Sequence, residues 1–176
     1  MTITVAAMTT EAFAPMLESL SQILDKAAAH AGGGFDALID ARLAPDMFTL
    51  AQQVLLACHN ARDGVGRLLG RPPLTPGEAG KTLAELQAQI AATLALLRAT
   101  PVGAFDGAET CDCSIALPDG RVIAMDGVTF LRAWALPHFY FHVVTAYDIL
   151  RHLGVPLGKP DYLSQVGAFI RPKPSA

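Results

Sequence analysis

The sequence predicts an all-α protein, a four-helix bundle with one short β-hairpin before the last helix. Four long stretches repeat apolar residues at three- and four-residue intervals, the spacing of one helical face, and only one short stretch alternates as a strand does. Apolar residues make up 52% of the chain and aromatics only 7%. That balance, with abundant alanine, favours closely packed helices over a β-sandwich, which draws on β-branched and aromatic side chains. A chain of 176 residues suits a single domain with a full core. Residues 1–164 are assigned to the bundle, and 165–176, ending Arg-Pro-Lys-Pro-Ser-Ala, to a flexible tail.

The first helix is expected from about Thr10 to Ala31. Phe13, Leu17, Leu20, Leu24, Ala28 and Ala31 share one stripe, with Glu18, Gln22, Asp25 and Lys26 opposite. Pro15 marks an early turn or a bend, and Gly32-Gly33-Gly34 stops the helix. A short segment, Phe35 to Leu43, leads to Ala44-Pro45-Asp46, where proline in the first turn starts the second helix. That helix runs to Leu69 with Met47, Ala51, Val54, Cys58, Val65 and Leu69 inward. Gly70 supplies a left-handed end and Pro72-Pro73 prevents continuation.

After a Pro/Gly-rich loop, Thr82-Leu-Ala-Glu85 forms a capping box that opens the third helix. Leu83, Leu86, Ile90, Leu94 and Leu97 are its inner stripe, and Thr100-Pro101 ends it. The period then changes: residues 110–117 and 121–126 read as strands joined across Pro118-Asp119-Gly120. The fourth helix is expected from about Val128 to Leu153, with a kink at Pro137 that frees a carbonyl and re-aims the next turn.

Charge and composition narrow the function. A net charge of −3 and thirteen scattered basic residues offer no run of cations for phosphates, which argues against nucleic acid as a partner. No basic segment followed by an apolar core opens the chain, and the apolar stretch from Phe130 to Leu153 is broken by Arg132, Pro137, His138, His142 and Asp148. No membrane partner is expected, and three cysteines give no disulfide framework, so a reduced cytoplasmic chain is the simplest reading. Cys111-x-Cys113 is read as two small residues on one face of a strand, with metal binding as the sharper alternative.

Chemistry concentrates in the fourth helix. His138 and His142 are four residues apart, on one face one turn apart, together with Leu131, Ala135, Ala146, Ile149 and Leu153. Both imidazoles are therefore expected to point inward. An H-x-x-x-H pair on a helix chelates one ion through neutral imidazoles, and bundles build metal sites from such inward side chains. The competing reading is a pair of core histidines satisfied by neighbouring carbonyls or carboxylates. His59 lies on the polar flank of the second helix beside Gln52 and Asp63; His30 and His152 sit in the last turns of their helices, where a partly charged imidazole favours the helix dipole.

Leu-Asp-Lys-Ala-Ala-Ala-His at 24–30, Ala-Arg-Leu-Ala-Pro-Asp-Met-Phe at 41–48, Phe-Tyr-Phe-His at 139–142 and Ala-Tyr-Asp-Ile-Leu-Arg-His-Leu-Gly-Val at 146–155 resemble the DinB/YfiT-like superfamily of metalloenzymes. The likeness is strongest to a bacterial branch of unknown function. With the helix order, it covers nearly the whole chain. The resemblance implies an up-down-down-up bundle, often a homodimer, with a divalent metal (Zn, Ni or Fe) on three histidines. His138 and His142 match the pair from the last helix. The helix-two position falls near Leu56, with His59 one turn later as the nearest candidate for the third ligand. The implied activity is a metal-dependent thiol transferase or hydrolase acting with a small-molecule thiol, with no catalytic residue assigned. The alternative is a non-catalytic dimeric bundle, or a module binding a small apolar ligand, with a vestigial metal site. Tyr140, Val144 and Tyr147, opposite the histidine stripe, are the candidate dimer contacts.

Overall fold

The computed structural model describes residues 4–171. Four long helices, α1 (Val5–Ala31), α2 (Leu50–Leu68), α3 (Leu83–Ala99) and α4 (Leu136–His152), surround one core. Helix α4 continues, without a break, a turn at Gly127–Phe130 and a π-turn at Leu131–Ala135.

Pairs of contacts give the helix directions. Glu18 reaches Arg98 while Ser21 and Asp25 reach Gln87, so α1 and α3 are antiparallel. Gln53 meets His142 while a Cβ on Gly64 would meet Ala135, so α2 and α4 are antiparallel as well. Phe13, early in α1, packs at the level of Gly64, late in α2, which sets those two against each other. The bundle is therefore up-down-down-up, as the resemblance implies. The 71–81 loop is the long crossover that lets α3 run beside α2.

Helix starts follow side-chain capping of the free first-turn amides. Helix α1 begins earlier than expected because Thr4 accepts from the Ala7 amide at 3.2 Å. Pro15 stays inside it; the carbonyl it leaves unpaired is that of Glu11, on the exposed side. Helix α2 begins later than expected, at Leu50 rather than at Pro45. Thr49 and Gln52 close a reciprocal capping box (2.9 and 3.3 Å) that satisfies two backbone amides, whereas proline at a first turn satisfies none. Residues 44–47 form instead a turn on which the Arg42 guanidinium donates to the carbonyls of Pro45 and Met47. At α3 half of the expected capping box is present: Thr82 accepts from the Glu85 amide at 3.2 Å, while the Glu85 carboxylate reaches one residue further back, to the Lys81 amide.

Among the described residues regular strand is confined to Ile115–Ala116 and Val122–Ile123, which pair antiparallel. Bonds from the Cys113 amide to the Met125 carbonyl and from the Leu117 amide to the Arg121 carbonyl keep the same register on either side. An Asp112–Asp126 bridge closes the base of the hairpin. Thr110, expected in the first strand, belongs to a 3-10 turn, Ala108–Thr110.

The chain beyond Leu163, expected as a flexible tail, continues as a 3-10 helix, Ser164–Phe169, lying against α1. Lys26 pairs with Asp161 at 2.7 Å, Ser19 bonds Ser164 at 2.7 Å, and the Gln165 amide donates to the Met16 sulfur. Residues 172–176 of that tail lie outside the described residues. This segment also changes the expected dimer face. Tyr147 packs edge-on against Tyr162, ring centres 6.3 Å apart, and Tyr140 is half-buried, which leaves only Val144 of the three openly exposed. Among the described residues no single helix is long and apolar enough to cross a membrane.

Two glycines set how closely the elements approach. At Gly64 a Cβ would lie 3.4 Å from both Ala135 and the Phe13 ring. At Gly127 it would overlap the Ala108 carbonyl oxygen and come within 3.0 Å of the Cys111 sulfur. Replacing Gly127 with Ala is expected to cost at least about 2 kcal/mol in urea unfolding, through backbone displacement. Gly77→Ala, where nothing lies within 4 Å, should change stability by no more than about 0.5 kcal/mol.

Candidate functional site

Pro137 lacks the amide needed to continue the helical ladder, and a π-turn stands just before it, where the sequence places a kink. The Leu136 amide donates to the Leu131 carbonyl, five residues back. One extra residue per turn shifts the inward stripe, so Phe139, Val143, Ala146 and Leu150 become its centre. His138 falls at the margin and is exposed, contrary to the expectation that both imidazoles point inward. His142 is buried, with 7% of its surface accessible.

Each imidazole is held by its Nδ1. In His142, Nδ1 donates to the side-chain carbonyl Oε1 of Gln53 at 2.7 Å. Gln53 is buried at the start of α2, and its Nε2 reaches the Phe48 carbonyl at 3.4 Å, which orients the amide for this bond. In His138, Nδ1 donates to the Trp134 carbonyl at 2.9 Å, inside the π-turn, and the ring leans on the Trp134 indole with centres 4.4 Å apart. Both acceptors are carbonyl oxygens, so in the neutral form of each ring the proton sits on Nδ1 and Nε2 is the free nitrogen.

His59 is half-buried on α2. The pairs Gln53–His142 and Gly64–Ala135 bracket it along the α2–α4 seam, which puts it near the level of His138. Burial lowers its pKa; Asp63 opposes that shift, and Arg62 and Arg67 add to it. Asp63 does not hold His59: its two carboxylate oxygens take the Arg67 guanidinium and the Leu74 amide, both at 2.7 Å. Among the described residues no group of three or more His, Cys, Asp or Glu side chains is close enough to share an ion. The residue of α2 that touches the pair is Gln53, which the expected ligand set does not contain. Its signal in the sequence is a lone amide among Leu50, Val54, Ala57 and Ala61 on the apolar stripe. His30 and His152 occupy the last turns of α1 and α4, as expected.

Residues 6–163 match the family described as "Domain of unknown function (DUF1993)". The chain belongs to the DUF1993 family. Among solved structures it is similar to a DinB family member protein from Shewanella denitrificans. The two share 37% identity at a TM-score of 0.81, over 97% of this chain and 94% of that one. The DUF1993 bundle is thus DinB-like in fold. No curated protein matches the chain.

Burial, followed by repulsion from His138 and then His59, lowers the His142 pKa from its ordinary value to about 4. In the unfolded chain the group titrates near its ordinary value of 6.5. Between these two values the unfolded state binds more protons than the folded one, so stability falls as pH drops from about 6.5 to about 4. The metal-free protein should lose up to about 3 kcal/mol across that window. His142→Gln should flatten this dependence in urea unfolding at a series of pH values, and an unchanged slope would show that His142 is not its source.

Proposed function

We propose that this DUF1993 protein binds a divalent metal through Nε2 of His138 and of His142, in an enzyme of hydrolase or thiol-transferase type. The observation that carries the reading is the pairing of both Nδ1–H groups with carbonyl oxygens. Metal-ligating histidines are oriented in this way, because a bond at one nitrogen fixes the tautomer that leaves the other free to donate. The lowered pKa of His142 supports it, since that ring stays neutral and competent to ligate well below neutrality. Gln53 fits as the group that orients His142, and Trp134 as the one that orients His138. His59, half-buried beside them, is the nearest candidate for a third donor. A divalent ion with open positions supplies Lewis acidity toward a water molecule or a small thiol. Around it, the chain's own residues hold the imidazoles in one tautomer and keep water from one side of the site.

One observation favours a second reading, a non-catalytic bundle with the pair as hydrogen-bonded histidines. The three histidines do not form a common ligand set, and Gln53 already satisfies His142.

Metal analysis of tag-free protein separates the two. The first reading expects close to one equivalent of Zn, Ni or Fe, abolished by His142→Ala with helical content retained. His59→Ala reports the third position: metal lost places His59 on the ion, and metal retained leaves that position to water or another group. Protein that takes up no ion from excess leaves the second reading.

A further inference from the structure

The Cys111-Asp-Cys113 segment lies at the other end of α2 from Gln53, some fourteen residues or about 20 Å along the helix. Its two sulfurs are 3.2 Å apart. Residues i and i+2 of an extended segment share a face, and here both thiols also point at one acceptor, the Arg67 carbonyl, at 4.0 and 3.7 Å. A Cβ added at Gly127 would come 3.0 Å from Cys111 Sγ, so the start of the last helix packs close beside that sulfur. Closing a disulfide would require the sulfurs to approach by only about 1 Å, to a bond of about 2.05 Å.

We propose that Cys111 and Cys113 are a modification site, oxidised reversibly to an intramolecular disulfide by exchange with a low-molecular-weight disulfide. Cys111 is half-exposed, on an open depression shared with Thr110, Asp112, Ser114 and Asp126, and is the sulfur an incoming reagent reaches. Cys113 is 2% exposed. Its thiol is pushed up to about 12 by burial and then by Cys111 beside it. Cys113 therefore keeps its proton while Cys111 is reduced, and part of that restraint lifts once Cys111 is capped.

The Cys111 thiolate attacks one sulfur of the reagent RSSR, forming a mixed disulfide and expelling RS⁻ with the bonding pair. Cys113 then gives its proton to solvent and attacks Cys111 Sγ, expelling the second RS⁻. Both leaving groups take up a proton. The two cysteines lose two electrons in total, and RSSR gains them as two RSH. Oxidation removes both S–H donors from the Arg67 carbonyl, so the redox state is felt at the C-terminal end of α2.

The test uses full-length, tag-free protein incubated with excess oxidised glutathione, then denatured, alkylated with N-ethylmaleimide and weighed intact and after digestion. The proposal expects only Cys58 to be alkylated, no glutathione retained, and a peptide in which 111 and 113 are linked, about 2 Da lighter than its dithiol form. Dithiothreitol before alkylation should restore all three reactive thiols. Cys113→Ser should stop at a single glutathione on Cys111. Full alkylation after oxidation, a glutathione left on Cys111 of the unsubstituted protein, or a disulfide-linked dimer would each overturn the proposal. The unsubstituted protein decides the matter even if the variant does not fold.

Discussion

The close approach of α2 to α4 is the constraint on which the rest of the structure depends. Gly64 has no side chain to hold the helices apart, and a Cβ there would already touch Ala135 and the Phe13 ring at 3.4 Å, with no room beyond it. Phe13 in turn meets Phe139 edge-on, ring centres 4.8 Å apart, so three helices lock around one contact. Interiors packed at this density transmit small displacements. A larger residue at 64 would push α4 outward and open the seam that, three turns away, brings Gln53 onto His142.

Beside that seam a proline sits one residue before His138. Pro137 would ordinarily break the helix, at about 3 kcal/mol or more, by leaving a carbonyl without its donor. The π-turn redistributes the loss, and the Trp134 carbonyl inside it accepts from the His138 ring. That bond fixes which nitrogen carries the proton in the neutral imidazole. The two histidines of one helix are thus oriented by different means, one by its own helix and one by the amide of another.

Much of the fold was legible in the sequence because it rests on local signals. The inner stripes of α1 and α3, the Thr82 cap and the hairpin turn each depend on residues a few positions apart. What was not legible depends on competition between signals or on distant packing. Two start signals precede α2, Pro45 and the Thr49–Gln52 box, and the box prevails because it satisfies amides that proline leaves open. The inward placement of His138 failed because a helical wheel assumes an unbroken period, and the π-turn adds a residue before the pair. Gln53 escaped notice because a single polar residue on an apolar stripe acquires meaning only when its partner, 89 residues away, is known. The segment after Leu163 reads as a tail because its anchors lie on α1, at Met16 and Ser19, far away in the sequence.

The two ends of α2 divide the work. At the C-terminal end Arg67 pairs with Asp63 at 2.7 Å, both side chains mostly buried, and lies 5.9 Å from the Phe130 ring centre with one nitrogen directed at the Ser114 carbonyl. Asp63 also holds the Leu74 amide of the crossover loop. A buried ion pair contributes little net energy once desolvation is counted, but removing one partner strands the other. The cluster therefore acts chiefly as a registry device, tying loop and hairpin to the helix end with every strong charge matched. At the N-terminal end the polar groups are neutral: a glutamine amide and an imidazole held unprotonated by burial. An uncharged pair buried without a counter-ion can accept a cation without first displacing a bound one. That asymmetry places the charged ties that set register at one end of the seam and the neutral polar groups at the other.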